Sequence, residues 1–246
     1  MFPYIPNLLD LNLKRNPIFV VKPGDFSSLL KLKKLDLSLC KITKLSPYSF
    51  GENQKLETVH LEANLLRHLK VPTSFVSVNQ SLTIHDNPWR CDCRLQRLRS
   101  WLLLVPMPSE PVCQTPPRLH GSNIRELKYE DFACFPVVSP TYLYLTVKET
   151  KDVSFMCRVK SNPSAKITWT FGSALIDNNH QRIKIVHTYE GVLGTRSELY
   201  ITNSSMFENG TFFCIAENKA GKATSKFVLN VVIHRSSNIV MEVKKD

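Results

Sequence analysis

Seven cysteines are the residues of this chain best suited to chemistry, and their spacing divides six of them into two sets. Cys91, Cys93, Cys113 and Cys134 are separated by one, 19 and 20 residues, whereas Cys157 and Cys214 stand far apart with Trp169 between them. Four thiols can hold zinc, but a zinc ribbon needs two close pairs and a finger needs histidines at short spacing, and neither pattern occurs. Disulfides suit both sets and imply synthesis in an oxidising compartment. Cys40 is the seventh: either a reactive or intermolecular thiol, or a buried small apolar residue. His60, His85, His120, His180 and His187 never fall at metal-ligand spacing, and no glycine-rich phosphate loop or nucleophile elbow is present. The expectation is a non-catalytic chain without a cofactor.

Composition is that of a folded globular protein. The net charge of +11 divides evenly: 18 basic against 12 acidic residues over 1–134, and 14 against 9 over 135–246. A nucleic-acid binder concentrates such charge on one face, so nucleic acid is not expected as a partner, and weak attraction to heparan sulfate is the milder expectation. No apolar run approaches the length that spans a bilayer, and Met1-Phe2-Pro3-Tyr4-Ile5-Pro6 lacks the charged flank and apolar core of a signal peptide. Disulfides without a signal lead to the expectation of a fragment, or an incomplete gene model, of a longer extracellular chain.

The elements that would position these cysteines begin with a repeat. Leucine-type residues recur at relative positions one, four, six and eleven, with Asn or Cys at nine: Leu8, Leu11, Leu13, Asn16, Ile18; then Leu32, Leu35, Leu37, Cys40, Ile42; then Leu56, Val59, Leu61, Asn64, Leu66; and, more weakly, Leu82, Ile84, Asn87, Trp89. The position-nine residues are 24, 24 and 23 apart. This period predicts a leucine-rich-repeat solenoid over 1–86, of α/β type with mostly short parallel strands, because one coil alone cannot bury its apolar face. Phe26, Leu29, Phe50 and Phe75 would fill the convex side. Cys40 falls on the Asn position, which favours burial over reactivity.

Alternation within each strand sends the residues between the leucines to the concave face. Its columns run Asp10, Lys34, Thr58, Ser81; Asn12, Asp36, His60, Thr83; and Lys14, Ser38, Glu62, His85. Lys14, Lys34, Asp36, His60 and Glu62 are the candidate partner-binding residues. Four strands at about 4.8 Å spacing would span only about 20 Å, which suggests further repeats upstream.

Residues 87–135 would cap the solenoid. Leu95, Leu98, Trp101, Leu102 and Val105 recur at helical spacing, leaving Arg94, Arg97 and Arg99 in water. Asn87-Pro88-Trp89-Arg90-Cys91-Asp92-Cys93, with Trp101, Cys113, Leu119 and Asp131-Phe132-Ala133-Cys134, resembles the C-terminal flanking domain of extracellular leucine-rich-repeat proteins. The resemblance implies pairing of Cys91 with Cys113 and of Cys93 with Cys134.

From Pro136 short alternating stretches replace the repeat. Cys157, Trp169 and Cys214 in that order, among strands separated by turn signals, predict an all-β immunoglobulin-like sandwich over 136–232, followed by a tail over 233–246. Ala216-Glu217-Asn218-Lys219-Ala220-Gly221 resembles the F to G hairpin of intermediate-set (I-set) domains. Phe212 replaces the usual corner tyrosine, and Glu208 the usual Asp six residues before the second cysteine; both put local stability in doubt. Asn79, Asn203 and Asn209 begin N-glycosylation triplets, with Asn209 expected to be the best exposed.

Taken together over about residues 5 to 232, and most closely in Asn87 to Cys93 and Glu110 to Cys134, the sequence resembles the kekkon family of invertebrate single-pass membrane proteins. That implies an extracellular protein-binding role in adhesion or receptor modulation, at the outer side of the plasma membrane. Two alternatives share the domain order: the recognition region of a peroxidasin-like haem peroxidase, and the ectodomain of a neurotrophin-receptor-like kinase.

Overall fold

The structure is a computed structural model, described here for residues 5–71, 80–178 and 181–233; Phe75, Asn79, His180 and the 234–246 part of the tail lie outside the described residues. The chain divides into two compact units, 1–133 and 134–246.

The first unit is built from strands β1 (Asp10–Asn12), β2 (Val20–Val21), β3 (Lys34–Asp36), β4 (Lys44–Leu45), β5 (Thr58–His60) and β6 (Ser81–Thr83). β1, β3, β5 and β6 form one parallel sheet in that order, with Leu11 opposite Leu35, Leu35 opposite Val59, and Val59 opposite Leu82. The repeat period therefore becomes sheet register: residues 24 apart, and 23 apart in the last step, lie side by side. Leu35, Leu37, Ile42, Val59, Leu61, Leu66 and Ile84 are fully buried, so each coil closes the apolar face of its neighbour. Phe26 and Phe50 stack on the convex side with ring centroids 6.0 Å apart.

At position nine the chain turns inward. Asn64 Nδ2 donates to the carbonyls of Leu37 and Leu61 at 2.9 and 3.0 Å, while its Oδ1 accepts from the Ile42 amide at 3.0 Å. Asn87 repeats this one coil later, on Leu61, Ile84 and Leu66. One amide thus satisfies three backbone groups that the bend would strand away from water. Cys40 fills the same place at 6% exposure, its Sγ 3.3 Å from the Leu13 carbonyl.

The residue before each of these turns, Arg15, Leu39, Ala63 or Asp86, has φ between 53° and 61°. None is glycine, so each coil carries the steric cost of a left-handed residue, about 1–2 kcal/mol. Packing holds it there, with asparagine bonds in three of the coils and Cys40 in their place in the one that carries Leu39.

The cap follows with β7 (Trp89–Arg90), α1 (Gln96–Leu102) and β8 (Cys113–Thr115), β7 and β8 pairing in parallel. Leu95, Leu98 and Leu102 are fully buried and Trp101 partly so; Val105 is buried but lies beyond the helix. Arg94 and Arg97 are exposed, as expected, Arg94 while it binds Asp92. Arg99 corrects the expectation that it stays in water: it is half-buried, with Nε donating to the Leu127 carbonyl at 3.0 Å.

The second unit is a two-sheet sandwich of β9 (Cys134–Ser139), β10 (Tyr142–Lys148), β11 (Val153–Asn162), β12 (Lys166–Phe171), β13 (Ala174–Leu175), β14 (Ile183–Glu190), β15 (Gly194–Ile201), β16 (Gly210–Asn218) and β17 (Gly221–Val232). The sheets run β10-β17-β16-β12-β13 and β14-β15-β11-β9. β9 is antiparallel to β11 and β10 is parallel to β17, so the first stretch of the unit crosses from one sheet to the other. The Cys157–Cys214 disulfide ties β11 to β16, and Trp169 lies opposite Cys214, in register.

Phe212 is fully buried, its ring 5.4 Å from Phe155 and 4.7 Å from Phe171. Gly210 is required beside it, because a Cβ there would lie 2.7 Å from the Phe171 ring.

Candidate interaction surface

The strand register assembles the concave columns. Asp10, Lys34, Thr58 and Ser81 form one row across the sheet, and Asn12, Asp36, His60 and Thr83 the next. The third row continues past the strand ends, where the Ser38, Glu62 and His85 carbonyls accept the amides of Arg15, Leu39 and Ala63.

Asp36, His60 and Glu62 come together in this surface. Thr83 Oγ1 donates its proton to Glu62 Oε2, so the Thr83 oxygen accepts from His60 Nδ1–H at 3.2 Å, and His60 Nδ1 also lies 3.6 Å from Glu62 Oε2. This order fixes the tautomer of His60. Burial pushes the Asp36 carboxyl up, but bonds from Ser38 and the nearby charges of His60 and Lys14 outweigh it, so Asp36 titrates below the ordinary aspartate value. Lys14 and Lys34 are exposed. The result is a hydrogen-bonded acidic centre flanked by exposed cations, a pattern suited to hydrogen-bonded and ionic recognition. The Thr83 hydroxyl is buried and its proton is held by Glu62, so it is not presented as a nucleophile.

Thr83 was legible only as a member of its column. Asp92 carried still less signal, since it reads as a spacer between two cysteines. In the structure it gathers two charges, Arg90 Nε at 3.0 Å and Arg94 in a bidentate contact, with the His68 imidazole Nε2 at 3.4 Å.

Cys91 is bonded to Cys113 with Cα atoms 5.7 Å apart, and Cys157 to Cys214 at 6.5 Å. Cys93 and Cys134 are each disulfide-bonded.

Of the glycosylation triplets, Asn203 is exposed. Asn209 corrects the expectation that it is the best exposed. It is half-buried, its Oδ1 accepts from the Val231 amide and its Nδ2 reaches the Val231 carbonyl at 3.4 Å. A glycan would replace one hydrogen of this Nδ2, the atom that faces the neighbouring strand.

The class follows from this architecture and from comparison with known proteins. The leucine rich repeat family matches residues 6–66, and the immunoglobulin I-set domain family matches residues 136–231. The chain therefore couples a leucine-rich-repeat region to an immunoglobulin I-set domain.

Among particular proteins, it is 28% identical to the human leucine-rich repeat, immunoglobulin-like domain and transmembrane domain-containing protein 2, over 61% of this chain and 27% of that protein. It is 25% identical to leucine-rich repeat and fibronectin type III domain-containing protein 1 of Danio rerio, over 92% of this chain and 35% of that one. Human leucine-rich repeat-containing protein 4C is 28% identical over 92% and 36%. The chain thus spans about a third of the curated relatives it matches. No helix among the described residues is long and apolar enough to cross a membrane.

Proposed function

We propose that this chain is the extracellular protein-binding region of a kekkon-like adhesion or receptor-modulating protein, anchored in the plasma membrane by a segment beyond it. In this reading repeats occupy 1–86, a cap 87–135 closed by the Cys93 to Cys134 pair, and an immunoglobulin domain 136–232. The repeats meet an extracellular protein partner with Lys14, Lys34, Asp36, His60 and Glu62. Weak heparan sulfate attraction is a secondary property of its net charge.

The observation that carries this reading is the unbroken four-stranded parallel sheet, whose register lines up polar side chains over a rigid apolar layer. Such a surface is preorganised, so little ordering entropy opposes binding. Two scaffolds used mainly for recognition account for the residues, and no step of catalysis is assigned to them.

The test is a binding screen of the secreted chain against cell-surface ectodomains, followed by charge reversal. Lys14→Glu, Lys34→Glu or Asp36→Lys should weaken the partner more than Glu52→Lys or Lys55→Glu, which lie between β4 and β5. Equal effects from both sets would overturn the assignment of the face. Sequencing the complete transcript separates the kekkon-like plan from its alternatives: a hydrophobic span soon after Asp246 supports it, whereas a peroxidase or kinase domain refutes it.

A further inference from the structure

A second, smaller ladder runs beside the concave sheet. β2 pairs in parallel with β4, Val20 opposite Lys44 and Val21 opposite Leu45. The third coil reaches the equivalent place with residues 66–70, but forms no strand there. It meets the second coil through the Leu65 amide on the Ile42 carbonyl and the cap through the Arg67 carbonyl on the Arg90 amide, each at 2.9 Å. Where the ladder stops, a groove of about 810 Å³ opens.

The groove has two kinds of wall. Val20, Leu45, Leu65 and Pro88 make it apolar, with Val20 and Leu65 more than two-fifths exposed. Lys22, Lys44, Arg67 and Lys70 make it cationic. No acidic side chain lines it, and none of these four cations forms an ion pair, among the described residues. The acids nearby are already engaged: Asp25 accepts the Lys22 amide at 2.8 Å, and Asp92 holds Arg90 and Arg94. His68 also lines the groove but adds no charge at neutral pH, because burial holds it below its ordinary value despite the neighbouring Asp92.

We propose that this groove binds an extended acidic peptide segment of a protein partner, with carboxylates on Lys22, Lys44, Arg67 and Lys70 and an apolar side chain against Val20 and Leu65. Charge complementarity requires an anion. The apolar wall then selects its kind: a peptide can alternate acidic and apolar side chains, whereas a sulfated glycan has little apolar surface to bury there. The volume falls in the range of small-ligand sites, about 300–1,000 Å³, and admits a few residues of chain rather than a folded domain. This site is separate from the concave face and does not rest on that reading.

The whole chain, secreted and purified, would be titrated against three fluorescent probes: a seven-residue peptide alternating glutamate with leucine around a central phenylalanine, its glutamine counterpart, and a heparin-derived octasaccharide. The glutamate peptide should bind, and the glutamine peptide should not. Lys44→Glu, Arg67→Glu or Lys70→Ser should each weaken it about tenfold, as removal of a rim charge does when several cations converge. Leu65→Ser should weaken it as well, and Lys34→Glu on the concave face should not. Unchanged melting temperatures confirm that the variants fold. Tighter binding of the octasaccharide, insensitive to Leu65→Ser, would make this a glycan site and sink the proposal. So would peptide binding that ignores the groove substitutions, or no peptide binding at all.

Discussion

Glu208 Oε1 accepts a hydrogen bond from Arg182 Nη2 at 2.7 Å, and this ion pair fastens the turn before β16 to the start of β14. The other oxygen, Oε2, accepts from the Ser205 amide at 2.8 Å and its hydroxyl at 2.7 Å, closing a capping box on the 3-10 turn Met206–Glu208. The glutamate that departed from the expected aspartate therefore keeps a structural role, one methylene longer.

Glu208→Gln should destabilise the immunoglobulin unit by about 1–3 kcal/mol, the cost of a charge-assisted bond left half-made. Burial pushes the Glu208 carboxyl up, yet the Ser205 bonds and the Arg182 charge outweigh it and hold it below the ordinary value of 4.5. The folded state thus binds fewer protons than the unfolded one. Its contribution is complete above that value and is lost as pH falls through the lower folded one. Thermal melts between pH 6 and pH 3 should show a smaller acid dependence in Glu208→Gln than in the parent; equal dependence would refute the assignment.

Trp169 Nε1 donates to Ser197 Oγ at 2.8 Å between residues that are almost fully buried. Ser197→Ala strands the indole N–H and should cost about 1–3 kcal/mol. Chemical denaturation with tryptophan fluorescence would read this directly. A neutral result would mean that water replaces the hydroxyl.

Cys40 should react slowly with alkylating agents in the folded protein and rapidly once unfolded. It is buried, and burial pushes its thiol above the ordinary value although neighbouring amides pull the other way. Cys40→Asn restores the residue of the other coils and should leave stability equal or raise it by about 1 kcal/mol. Fast labelling at neutral pH would overturn the assignment as an interior residue.

Asp92→Asn should weaken the first unit by about 1–3 kcal/mol, since Arg90 and Arg94 lose the carboxylate they share. Burial acts to raise the Asp92 carboxyl, but Arg94 and His68 hold it below its ordinary 3.8. Its stabilisation is therefore lost only as pH falls below that value. His68, lowered by burial, acts in the same sense at higher pH: the unfolded chain takes its proton more readily, so acidification through its ordinary 6.5 costs stability. By NMR titration, Asp92→Asn should lower the His68 midpoint further, because the carboxylate is what opposes burial.

The amino-acid order by itself determined the two scaffolds. A 24-residue period of leucines must become register in a stacked sheet, because only residues one coil apart can share a buried layer, and Leu11, Leu35, Val59 and Leu82 do so. Cys157, Trp169 and Cys214 likewise lie where a two-sheet sandwich needs them. The concave columns were legible for the same reason, since strand alternation is a local property. What tertiary structure alone decided was the partner of each charge and the shape between coils. Arg99 reaches Leu127, Asp92 gathers Arg90 and His68, and Asn209 turns onto Val231, all through contacts that no spacing encodes. The left-handed residues Arg15, Leu39, Ala63 and Asp86 have no shared residue type to announce them. Their backbone is held by packing between coils, with asparagine bonds beside Arg15, Ala63 and Asp86 and the Cys40 thiol beside Leu39, and the basic groove opens where the smaller ladder fails to continue into the third coil.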